Sequence, residues 1–109
     1  MVTIDYNKSE NEVIFSFAGR LDTVACLQAG ETINNKLAEI MSIGNTPAPA
    51  AVKVVFDLEE VNFISSSFIR ICISSAKLPE PGNFCIINCD PVIKKTFKIT
   101  GLDESLKVS

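Results

Sequence analysis

Three consecutive hydroxyls, Ser65-Ser66-Ser67, follow the run Asp57-Leu58-Glu59-Glu60-Val61-Asn62-Phe63-Ile64 and open a segment of helical spacing. A helix start presents unpaired backbone N–H groups and the positive end of the macrodipole, so a phosphate on one of these serines would be stabilised locally. Serine is also among the preferred N-caps, and a cap with solvated neighbours accounts for the same three residues without any chemistry. Asp57, Glu59 and Glu60 offer carboxylates, but acidic residues after a strand end read as a solvated edge or loop rather than a paired acid and base. The four cysteines, Cys26, Cys72, Cys85 and Cys89, form no Cys-x-x-Cys pair, and the chain has no histidine. An all-cysteine zinc site would need other spacings, so neither a metal nor a cofactor is expected, and Cys72 and Cys85, within apolar runs, read as small core residues. The missing histidine also removes the commonest general base and the Ser-His-Asp and Cys-His arrangements, so hydrolytic catalysis lacks its best tools.

The elements that must position these serines are set by composition and periodicity. With 109 residues, 47% of them hydrophobic, the chain is long enough for one domain with a sizeable core and too short for two, so residues 1–109 are expected to form a single domain. The net charge is -3 and the ten basic residues are scattered along the sequence, which gives no footprint for nucleic acid or an anionic membrane. The first residues lack a basic segment followed by an apolar one, and no window approaches the roughly 20 apolar residues of a membrane span, so a cytoplasmic location is expected.

Val2, Ile4 and Tyr6, then Val13, Phe15 and Phe17, alternate with period two on either side of Asn7–Asn11, which predicts a hairpin. Gly19-Arg20-Leu21-Asp22-Thr23 is expected to break the second strand, with Asp22 or Thr23 capping a helix over 23–41 whose apolar positions include Ile33, Leu37, Ile40 and Met41. Residues 44–51, with two prolines and a glycine, read as a loop, and Val52–Leu58 as a short strand covered on both faces. From Ser66 the spacing is helical. Phe68, Ile69, Ile71, Cys72, Ile73 and Ala76 leave little polar surface, so this helix is deeply buried or lies partly under a partner. Pro79-Glu80-Pro81-Gly82 ends it, Asn83–Asn88 is the next strand, and Asp90-Pro91 starts a helix closed by Gly101. Leu106 and Val108 suggest a last short strand. The order predicts an α/β fold: a mixed sheet of four or five strands opened by a hairpin, with about three main helices packed against it.

Three segments, in this order, resemble the STAS domain family of bacterial anti-sigma factor antagonists. Gly19-Arg20-Leu21-Asp22 is similar to the family's Gly-x-Leu-Asp. Asp57-Leu58, Val61-Asn62-Phe63-Ile64 and Ser65-Ser66-Ser67-Phe68 follow the frame in which a strand and a Val-x-Phe-Met segment lead into Asp-Ser-Ser/Thr-Gly. The stretch Pro91 to Leu102 is similar to the closing Ser-Pro-x-Val-x-x-x-Phe helix with its small residue, glycine and leucine.

The resemblance implies a partner switch, in which the chain is a kinase substrate and not an enzyme. The unphosphorylated antagonist binds an anti-sigma factor that is a serine kinase of the histidine-kinase-like ATPase type, and phosphorylation ends the contact. The acceptor carries over to Ser66, with Ser67 as second choice, and the resemblance implies Asp22, Ser65, Ser67, Phe68 and Ile69 as partner-binding residues on a monomer or weak dimer. Two positions depart: the motif's Asp is Ser65 and its Gly is Phe68, which removes a carboxylate beside the acceptor and places a ring in the first turn as new bulk before a kinase. The alternative is a STAS-type interaction or small-ligand-binding module that has lost the phosphoswitch. Phe68 reads either as an exposed docking side chain or as core, and Arg20 and Arg70 as solvated or as contacts to an acidic partner surface.

Overall fold

The structure, a computed structural model, describes residues 2–42, 52–77, 79 and 82–109. The loop expected at 44–51 lies outside the described residues, as do Glu80 and Pro81 of the expected helix stop. The elements are β1 (Val2–Asn7), β2 (Glu12–Leu21), α1 (Thr23–Ser42), β3 (Lys53–Ile64), α2 (Ser66–Ala76), β4 (Phe84–Ile87) and α3 (Pro91–Ile99). The four strands form one mixed sheet in the order β1-β2-β3-β4, the first pair antiparallel and the other two parallel. Each parallel neighbour requires a crossover, and α1 and α2 supply the two.

The hairpin turns where its residues dictate. Asn7 Oδ1 accepts from Ser9 Oγ and from the Glu10 N–H, and Asn11 takes a positive φ of 53°, which asparagine tolerates better than most residues. Period-two alternation buries Val13, Phe15 and Phe17 on the face that meets Val54, Phe56 and Leu58 of β3 and Phe84 and Ile86 of β4. Against that face lie Cys26, Ala29, Ile33, Leu37 and Ile40 of α1, Phe68 and Cys72 of α2, and Ile93 and Phe97 of α3. Edge-on ring contacts bind the centre: Phe17 and Phe56 at 5.0 Å, Phe17 and Phe68 at 5.1 Å, and Phe56 and Phe84 at 4.9 Å. Such pairs add about 0.5–1.5 kcal/mol each beyond area burial.

The opposite face is only partly covered. Ile14, Cys85 and Ile87 are half-buried there, and Val55 is buried between its register partners Ile14 and Cys85. The strand expected to be covered on both faces is thus covered by helices on one and by neighbouring strands' side chains on the other.

Two boundaries differ from expectation. The strand expected at 52–58 continues to Ile64, and β2 runs through Gly19 to Leu21, because the two pair with each other across two irregularities. Between Ser16–Asp57 and Ala18–Glu60, and again between Gly19–Val61 and Arg20–Phe63, β3 carries one extra residue. Gly19 accommodates this stretch with a φ of +84°, a value that L side chains rarely adopt. The last short strand reduces to a single parallel bridge between Ile86 and Val108, so the sheet has four strands. The α3 stop is as expected: Gly101, at φ +76°, donates to Lys98 O at 3.1 Å and Leu102 to Phe97 O at 3.0 Å, the paired bonds of a Schellman motif.

Candidate functional site

Because β2 and β3 are parallel neighbours and each is followed by a helix, the starts of α1 and α2 lie side by side at one end of the sheet. The Ser65 N–H donates to Leu21 O at 3.1 Å, joining the two strand ends. Residues far apart in sequence, Asp22 on one side and Ser65 to Ser67 on the other, thereby share one surface.

Asp22 caps α1: its Oδ1 accepts from the Ala25 N–H at 2.9 Å, as the sequence leads one to expect. Ser65 holds the corresponding backbone position of α2, with φ -108° and ψ 171°, yet its side chain makes no cap hydrogen bond. Its hydroxyl lies 3.8 Å from Cys26 Sγ, which in turn donates to Leu21 O at 3.7 Å. Burial pushes the Cys26 thiol above its usual range, Asp22 pushes the same way, and the Ser65 contact opposes them, so the thiol stays neutral near pH 7. Ser66, the first residue of α2, is exposed, and Ser67 and Ile69 are half-buried.

Phe68 is fully buried, its ring packed against Phe17 and Phe56. It is therefore not an exposed docking side chain, and its ring adds no bulk to the surface beside Ser66. It falls on the inner stripe of α2 with Cys72 and Ser75, one and two turns on. Asp57, Glu59 and Glu60 are not brought to this end of the sheet as a reactive pair. Asp57 Oδ1 accepts from the Glu59 N–H at 3.0 Å and from Asn88 Nδ2 at 3.2 Å, which is a structural use, and Glu59 and Glu60 are exposed.

Two further features belong to this surface. Val24 and Leu27, in the first turns of α1, are 72% and 70% exposed. The inner stripe of α1 runs through Cys26, Ala29, Ile33, Leu37 and Ile40, so Val24 and Leu27 are apolar residues off that stripe, a signal present in the sequence. A groove of about 200 Å³ between α1 and α2 is lined by Thr23, Cys26, Leu27, Ser67, Arg70 and Ile71. Nearby, Arg20 does not stand free: its guanidinium lies 3.9 Å from the Phe63 ring centroid, a cation–π contact between strand neighbours.

This end of the sheet thus carries an exposed serine at the start of α2, a groove that Ser67 and Leu27 line together, and two exposed apolar side chains on α1. No helix among the described residues is long and apolar enough to cross a membrane. Comparison with curated proteins finds no match. Among solved structures, the chain is similar to an anti-sigma factor antagonist from Mycobacterium paratuberculosis, with a TM-score of 0.77 at 20% identity over 99% of this chain and 83% of that one. It is also similar to the anti-sigma factor antagonist SpoIIAA in its unphosphorylated form, with a TM-score of 0.74 at 19% identity over 100% of this chain and 88% of that one. The phosphorylated form of the Bacillus cell fate determinant SpoIIAA matches with a TM-score of 0.67 at 19% identity, over 100% of this chain and 91% of that one. At these identities the likeness concerns the fold; the family follows from the STAS domain model, which matches residues 3–109, and the chain therefore belongs to the STAS domain family.

Proposed function

We propose that this protein is an anti-sigma factor antagonist, a non-enzymatic interaction module that binds an anti-sigma factor kinase and is released from it by phosphorylation of Ser66. The observation that carries this reading is the position of Ser66, exposed at the first residue of α2 next to Ser67, which lines a groove with the exposed Leu27 of α1, where Val24 is exposed as well. Burying two such side chains against a partner is worth about 1.5–3 kcal/mol each. A phosphate at the rim brings roughly 1.5 to 2 negative charges, which must be desolvated or repelled when the partner closes over it. Supporting the same reading, SpoIIAA, whose fold this chain shares, exists in phosphorylated and unphosphorylated forms.

Ser65 in place of the motif's Asp keeps a second carboxylate away from the acceptor. With Phe68 turned into the core, the first turn of α2 stays open to a kinase. The partner-contacting residues in this reading are Asp22, Ser65, Ser67 and Ile69 together with Val24 and Leu27.

The test uses the whole chain as bait in native lysate with ATP or ADP, comparing wild type, Ser66→Asp and Leu27→Asp and identifying captured proteins by mass spectrometry. The expected result is a histidine-kinase-like ATPase retained by wild type and lost with either variant, which transfers one phosphate to Ser66 when purified. Equal capture by wild type and Ser66→Asp would leave an interaction module without this switch. Absence of such an ATPase from every bait would overturn the reading.

A further inference from the structure

Arg70 lies one helical turn after Ser66, so the two side chains are i,i+4 neighbours on one face of α2. Its guanidinium takes part in no ion pair among the described residues. It lines the groove between α1 and α2 with Ser67 on its own helix and Thr23, Cys26 and Leu27 opposite. Asp22, at the start of α1, accepts from the Ala25 N–H through Oδ1, and the position before the acceptor is Ser65 rather than an acid. A free, permanently charged fork therefore lies within one turn of the acceptor hydroxyl, with no carboxylate engaging it. Guanidinium meets phosphate through two parallel N–H···O bonds, a geometry that neither lysine nor glutamine reproduces.

We propose that Arg70 is the intramolecular anchor of the phosphate on Ser66. This rests on the reading of Ser66 as the acceptor and adds how the switch works. In the unmodified protein the guanidinium is part of the groove that a partner covers. Once Ser66 carries phosphate, Arg70 turns to it and leaves the groove lining, so modification withdraws a cation from the docking surface at the same time as it adds an anion. Arg70 is a positioning residue in this scheme; it takes no part in phosphoryl transfer.

The experiment installs phosphoserine at position 66 by genetic encoding, which needs no kinase, and follows the phosphorus NMR signal of the whole protein through a pH titration. Arg70 favours the dianion, so the second pKa of the phosphate should rise by roughly 0.2–0.4 unit in Arg70→Gln, the size expected for an exposed i,i+4 pair, and Arg70→Lys should fall between the two. High salt should shrink the difference, as it does for exposed charges. Superimposable titrations of wild type and Arg70→Gln, with both proteins folded by circular dichroism, would overturn the proposal. The outcome is separable from the partner reading: loss of the ATPase from the pull-down leaves the titration unchanged, and a flat titration leaves the effect of Ser66→Asp on capture unchanged.

Discussion

Phe68 is where this chain departs most visibly from the family's motif, and its burial changes what the departure means. A glycine there would leave the space between Phe17 and Phe56 for other side chains to fill; here one ring fills it. Restoring the motif by Phe68→Gly should destabilise the fold by about 3–5 kcal/mol for the lost ring, with about 1 kcal/mol more for glycine inside a helix. Urea unfolding measures it, and against a typical total of 5–15 kcal/mol the variant is expected to be barely folded. The two caps make a finer contrast. Asp22→Ala removes a made hydrogen bond and should cost about 1 kcal/mol, a drop of about 4 °C or more in the melting temperature. Ser65→Ala removes a hydroxyl that caps nothing and should cost less than half as much in the same melt. The sequence points to serine as a cap because local statistics say so; where its hydroxyl goes depends on Cys26, which another element delivers, and no local pattern contains that.

At the scale of elements, what is legible is what repeats. Alternation located β1 and β2, and the spacing of Ile33, Leu37 and Ile40 located α1. The Asp90-Pro91 start and Gly101 stop located α3 within a residue or two, because each signal is local chemistry. The sequence places the end of β3 at Leu58 because the acidic Glu59-Glu60 that follows reads as a solvated edge, and both residues are exposed; the strand continues through them because β2 pairs alongside, a fact of tertiary contact. The proposed docking face is half legible. Asp22 and the serines stood out by type, while Val24 and Leu27 needed the inner stripe of α1 to be drawn before their exposure became a signal. Leu27→Asp is accordingly expected to leave the melting temperature within about 2 °C of wild type, since surface changes are usually within 0.5 kcal/mol, while it abolishes capture of the partner.

For the whole molecule, the thiols set a limit on the alkaline side. All four cysteines are free. Burial pushes Cys89 from its ordinary 9.0 up to about 11, with Lys94 opposing and Asp90 adding to the shift, and burial likewise raises Cys72 well above its ordinary value. Well below pH 9 these thiols are protonated whether the chain is folded or not. Above it the unfolded chain releases protons that the folded one keeps, so stability falls as pH rises from about 9 toward about 11. The urea midpoint should therefore drop between about pH 8 and about pH 10.5, and Cys89→Ala should reduce that drop.

The twelve-residue β3 carries one more consequence. β4 pairs with it only from Val54 to Asp57, so from Leu58 onward β3 has β2 on one side and no strand on the other among the described residues. Such an open edge invites a strand from another molecule, and Glu59 and Glu60 put two negative charges on it. These carboxylates are thus gatekeepers of solubility: without them, refolding at high concentration should drive chains to add edge to edge and aggregate, detectable as rising light scattering.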